Sequence, residues 1–123
     1  MASYGSDLEL LAKTINGEAG GEPYQGQLAV GTVIINRLNH PAFPKTIRSV
    51  IYQRGQFSCT SRGNFRVTKR SLQVAKEVLK GKKNLPKHVV YFNTAKVNPR
   101  NGKYYTTIGN HKFYSINKNR GNK

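Results

Sequence analysis

The sequence predicts an α+β domain, mainly helical and completed by a small C-terminal β-hairpin. Apolar residues recur at three- and four-residue spacing in successive segments up to Gly81. Beyond that point, β-branched and aromatic residues gather around a Gly109–Asn110 turn signal. The 123 residues hold no internal repeat, long linker or second hydrophobic block, and an apolar fraction of 37% suits one modest core. A single domain over 1–123 is expected, with its core over about 7–116 and a polar tail at 117–123.

The first helix is expected from about Asp7 to Asn16 or Glu18. Ser6 is its cap, Asp7 and Glu9 lie in its first turn, and Leu8, Leu11, Ala12 and Ile15 form one stripe. Gly20 and Gly21 supply the permissive backbone that ends it, and Pro23 suits the start of the next helix. That second helix reads "YQGQLAVGTVIINRLN", with Leu28, Gly31, Ile34, Ile35 and Leu38 inward. Gly26 and Gly31 weaken its propensity, so close packing by a neighbour is expected to compensate.

Pro41 and Pro44 punctuate a turn before a short helix with an apolar edge of Ile47, Val50 and Ile51. "RGQFSCTSRGNFRV" has no sustained helical period and reads as a loop bearing aromatic and hydroxyl groups. A further helix opens at Thr68, repeats apolar residues at Leu72, Ala75, Val78 and Leu79, and stops at Gly81. "KHVVYFNT" is a short extended segment, and "KYYTTIGNHKFYSI" is the hairpin.

Lys and Arg number 21 against 5 acids, a formal charge of +16, so the protein is attracted to polyanions. Nucleic acid, anionic lipid and the acidic polymers of a bacterial wall all fit, each with salt-sensitive binding. The one cysteine, Cys59, excludes an internal disulfide, and with no nearby His–Asn/Asp pattern it reads as a packing residue. His40, His88, His111 and Cys59 lack metal-ligand spacing, so neither a metal nor another cofactor is expected. The N-terminal residues lack the pattern of a secretory signal, and no apolar run is long enough to span a membrane.

Three of the five acids have ordinary explanations: Asp7 and Glu9 at a helix start, and Glu77 among Lys76 and Lys80 on a solvated face. Glu18 differs. It falls at the carboxyl end of a helix, where the dipole disfavours an anion, just before a turn that can open it to a cleft. A carboxyl so placed beside apolar walls is suited to carry a proton and donate it, whereas pairing with a Lys or Arg is the plainer alternative. Glu22 suggests a second carboxylate, but the glycines and Pro23 leave its separation from Glu18 undetermined. Capping the second helix or pairing with Arg37 is the reading preferred for it.

The strings "INGEAGGEPYQGQLAVGTVIINRL", "FPKTIRSVIYQRGQFS", "VVYFNTAK" and "IGNHKFY" occur in this order between about Leu8 and Tyr114. Together they resemble the SleB/CwlJ-type cell-wall hydrolases, the group that includes spore-cortex-lytic enzymes. The resemblance implies a lysozyme-like, lytic-transglycosylase-like fold and peptidoglycan glycan strands as substrate. It also implies that Glu18 is the catalytic acid of an E-A-x-G-E motif, with Glu22 in a supporting role. Gly20, where the family often has Arg, and Cys59, where an aromatic is expected, depart from the pattern.

On this resemblance the bond attacked joins N-acetylmuramic acid to N-acetylglucosamine. The shortage of acids favours transglycosylation, which needs one essential carboxylate, over hydrolysis. Gln56, Phe57 and Ser58 are candidates to line the cleft, and Tyr91 and Asn93 resemble the Tyr–Asn pair near the acid of related transglycosylases. His111 and Tyr114 are further substrate-binding candidates, although core packing competes for Phe57 and Tyr91 and a structural role for His111. The expected protein is a monomer that contacts an anionic envelope electrostatically and binds no specific nucleic acid. It acts on the cell wall after holin-type release, as a phage endolysin does, or as a bacterial lysis or germination enzyme. The rival classes are a basic nucleic-acid-binding module, whose face would be "KRSLQVAKEVLKGKK", and a silent wall-binding domain.

Overall fold

The computed structural model describes residues 2–53, 65–94 and 98–116. The elements are α1 (Ala2–Ala19), α2 (Tyr24–Leu38), α3 (Ile47–Ile51), α4 (Lys69–Leu79), β1 (Val89–Asn93), β2 (Gly102–Ile108) and β3 (His111–Ile116). The loop holding Gln56, Phe57, Ser58 and Cys59, and the tail from residue 117, lie outside the described residues.

The centre is α2. Every residue from Gly26 to Arg37 is buried, as the nearly uninterrupted apolar run requires. One side meets α1, α3 and α4 through Leu11, Ile15, Val30, Ile34, Val50, Val74 and Val78. The other presents Ala29 and Val33 to Leu85, Val89 and Phe113 of the sheet region. At Gly31 a β-carbon would approach Val78 Cγ1 to 3.1 Å and Ile15 Cδ1 to 3.2 Å, so the expected close packing comes from both α4 and α1.

The polar side chains of this buried helix join it to the chain entering the sheet. Asn36 Nδ2 donates to the carbonyls of Pro86 (2.8 Å) and Val89 (3.0 Å), and Arg37 Nε donates to Val90 O at 2.6 Å. Each satisfied bond contributes about 1 kcal/mol, and leaving a buried partner unmet costs more.

The sheet is antiparallel in the order β1–β3–β2, so β3 is central and β2 is a free edge. The extended segment and the hairpin therefore form one sheet. Gly109 (φ 60°) is the first turn residue, a left-handed position that suits glycine in a two-residue hairpin.

Three expectations are corrected. The first helix begins at Ala2, which puts Ser6 inside it and moves Asp7 and Glu9 out of its first turn. Once a packed stripe anchors a helix, propagation by another turn costs little, so the cap signal did not set the start. Neither Gly20 nor Gly21 takes a positive φ, and glycine is needed at position 20 for space instead, since a β-carbon there would lie 2.5 Å from Asn16 O and 2.7 Å from Asn16 Oδ1. In α4 the buried face is Ser71, Val74, Ala75 and Val78, while Leu79 is exposed and Leu72 half-buried. Ser71 can be buried because its hydroxyl closes a capping box with Thr68, at 2.9 and 3.0 Å.

Candidate active site

Glu18 stands one residue before the end of α1, half-buried, in a last turn that carries no basic residue. No basic side chain of that turn offsets the negative potential of the helix's carboxyl end. Arg37 of α2, which is buried, acts on Glu18 electrostatically. The Arg37 guanidinium lies 5.2 Å from the Phe43 ring centre and 5.7 Å from that of Tyr91. Burial pushes its pKa down to about 10, opposed by Tyr91 and then by the Glu18 charge. Arg37 therefore remains a cation at neutral pH and couples Glu18 electrostatically to the sheet.

On the sheet, Tyr91 pairs in register with Tyr114 and Asn93 with Lys112. Tyr91, Asn93 and Tyr114 thus share one face, and Tyr114 Oη donates to Asn93 Oδ1 at 3.0 Å. Phe43, from the turn after α2, meets Tyr91 edge-on at 6.1 Å. The structure brings together Tyr91, Asn93 and Tyr114 with Arg37 and Phe43, and Glu18 acts on this group through the charge of Arg37.

His111 is placed elsewhere. It alternates with Tyr114 onto the opposite face, packs edge-on against Phe92 at 5.4 Å, and leaves a buried Nδ1 without a hydrogen-bond partner among the described residues. Gln56, Phe57 and Ser58 lie outside the described residues.

Glu22 neither caps α2 nor pairs with Arg37. Pro23 occupies the cap position without a side-chain bond. The carboxylate reaches across to the β2–β3 turn instead, accepting from Asn110 N at 3.2 Å and Asn110 Nδ2 at 3.0 Å. The turn between α1 and α2 projects Glu22 towards the hairpin, a direction that spacing along the chain does not encode.

Reading the sequence overlooked Arg37 as the centre of the site and Asn110 as the partner of Glu22. Arg37 had a signal, because a guanidinium inside an apolar helix must find partners. Asn110 had none, being 88 residues from Glu22.

A family described as Cell Wall Hydrolase matches residues 21–114, a span that includes Glu22, Tyr91, Asn93, His111 and Tyr114 and begins just after Glu18. The chain is 47% identical over 58 residues to the spore cortex-lytic enzyme of Bacillus subtilis (strain 168), covering 47% of this chain and 19% of that protein. It is 34% identical over 88 residues to the cell wall hydrolase CwlJ of Oceanobacillus iheyensis, covering 66% of this chain and 62% of that one. The match to the spore cortex-lytic enzyme therefore spans about a fifth of that relative's length.

Among solved structures, the catalytic domain of the germination-specific lytic transglycosylase SleB from Bacillus anthracis superposes with a TM-score of 0.79 at 25% identity, covering 89% of this chain and 93% of that one. The SleB catalytic domain of Bacillus cereus gives 0.79 at 26%, with 89% of each chain covered. These likenesses bear out the mainly helical, lysozyme-like α+β fold expected from the sequence.

Proposed function

The chain belongs to the Cell Wall Hydrolase family, and from that membership we propose that it is a peptidoglycan-degrading enzyme that cleaves the bond between N-acetylmuramic acid and N-acetylglucosamine by lytic transglycosylation. The observation that supports the reading is the position of Glu18, at a helix end whose last turn holds no basic residue, within the field of the buried Arg37 that lies against Tyr91. The description of the Bacillus anthracis relative as a lytic transglycosylase supports the reaction type.

In this mechanism protonated Glu18 gives its proton to the glycosidic oxygen while an oxocarbenium-like centre develops at C1. The resulting carboxylate is stabilised by the positive charge of Arg37. It then takes the proton of the muramic C6 hydroxyl as that oxygen attacks C1, leaving a 1,6-anhydro end. Tyr91 and Asn93 offer the sugar an aromatic surface and an amide, with the Asn93 carbonyl oriented by Tyr114. Glu22 supports the site from outside it by holding the hairpin.

The test is digestion of purified peptidoglycan by the protein and by Glu18→Gln, with the released muropeptides analysed by mass. The expected result is anhydro-muramic ends from the parent and a loss of at least about a hundredfold in the variant. Reducing ends would replace transglycosylation with hydrolysis, and full activity in the variant would remove Glu18 from its role. As site of action we propose the bacterial wall, reached after release from the cell that makes the protein.

A further inference from the structure

A row of three tyrosines crosses the sheet, and its outer member is assigned no role by the mechanism above. Tyr114 on central β3 is in register with Tyr91 on β1 and with Tyr104 on β2. The row opens outwards, with Tyr114 fully buried, Tyr91 half-buried and Tyr104, on the free edge strand, 50% exposed. Neighbouring strands lie about 4.8 Å apart, which puts Tyr104 about 10 Å from Tyr91 and beyond the reach of one pyranose ring.

Tyr104 is fixed despite its exposure. Its ring meets Tyr114 edge-on at 6.1 Å and 75°, and its hydroxyl lies 2.7 Å from Thr107 Oγ1. The next register row, Asn93, Lys112 and Thr107, adds an amide, an ammonium and a hydroxyl to the same face. A pinned aromatic ring edged by such groups matches a pyranose, which has an apolar C–H face and a hydroxyl-bearing rim. The charge agrees as well: no Asp or Glu follows Glu77, so the strands themselves offer acidic peptide stems only neutral or positive side chains, and the nearby Glu22 carboxylate is occupied by Asn110 at the hairpin turn.

We propose that Tyr104 forms a distal glycan subsite, stacking an N-acetylated sugar of the peptidoglycan strand about one ring beyond the sugar at Tyr91. The assignment rests on the peptidoglycan reading above. It makes Tyr91 and Tyr104, backed by the buried Tyr114, a track along which a long strand is held while a bond near Glu18 is cut.

The chain contains no tryptophan, so Tyr104→Trp introduces a single emitter at the subsite. This variant, in a Glu18→Gln background that keeps the strand intact, is titrated with peptide-free glycan strands and, separately, with a single-stranded oligonucleotide of similar length. The expected result is a saturable blue shift with the glycan and a weaker response to the oligonucleotide. In calorimetric titrations of the same background, Tyr104→Ala weakens binding of long strands about threefold to tenfold, and Tyr104→Phe, which keeps the ring, stays within about twofold. Circular dichroism of every variant checks that the fold is retained.

An emission unchanged at saturating glycan, equal responses to glycan and oligonucleotide, or Tyr104→Ala binding as tightly as its background would each overturn the subsite. None of these results touches the Glu18-dependent cleavage assay, which therefore stands or fails separately.

Discussion

Glu22 shows how one carboxylate is used when a chain has only five. It accepts two hydrogen bonds from Asn110, and the Gly109 position lies so close that an added β-carbon would fall 1.9 Å from Glu22 Oε1. Gly109→Ala meets both that contact and the positive φ of 60°. The expected loss is about 2 kcal/mol or more, a fall in Tm of roughly 8 °C in thermal denaturation. Glu22→Gln offers Asn110 one acceptor oxygen instead of two and should lose about 1 kcal/mol. The match between Glu22 and Asn110 could not be read from the sequence, because local periodicity carries no information about a side chain reaching across a turn. The unusual setting of Glu18 could be read, because a helix end and its missing cation are local properties.

At the scale of elements, α2 is the shared wall of two packings, and its N-terminal end is fastened to α4. Tyr24 Oη and Gln73 Nε2 both donate to the Glu77 carboxylate, and Lys82 Nζ lies 5.3 Å from the Tyr24 ring centre. Glu77 is thus more than the solvated helix-face residue expected from its lysine neighbours. The Tyr24 hydrogen bond, then that of Gln73, holds its carboxyl below the ordinary value of 4.5. A depressed folded-state value means that at acid pH the unfolded chain binds more protons there. The stabilisation is complete above about pH 4.5 and is lost as pH falls through the lower folded value. Removing the hydroxyl with Tyr24→Phe should lower Tm at pH 6 and narrow the drop between pH 6 and pH 3, as followed by circular dichroism.

For the whole molecule, the charge of +16 is unevenly supplied, since all five acids precede Val78 and the sheet contributes none. On the proposed function, long-range attraction to an acidic envelope is expected to add to local recognition of sugar. Lysis of whole cells should fall several-fold between about 50 and 300 mM salt, while cleavage of a soluble, stem-free glycan should change much less. Turbidity loss and product release, measured side by side, check this, and lysis independent of salt would count against electrostatic capture. Among the described residues no helix is long and apolar enough to cross a membrane.

Helical periodicity determined α2 and its apolar partners, the capping residue Thr68 determined where α4 starts, and Gly109–Asn110 determined the hairpin, all from interactions within a few residues. The sequence also singled out Glu18, Tyr91, Asn93 and Tyr114. Only the tertiary structure decided that β3 lies between β1 and β2, that Arg37 couples Glu18 to Tyr91, that Glu22 holds Asn110, and that Tyr104 extends the tyrosine row to an open edge. Those pairings join residues from 10 positions apart, as Tyr104 and Tyr114, to 88, as Glu22 and Asn110. Packing around α2 selects them, through a balance of burial and hydrogen-bond satisfaction that no short stretch of chain contains.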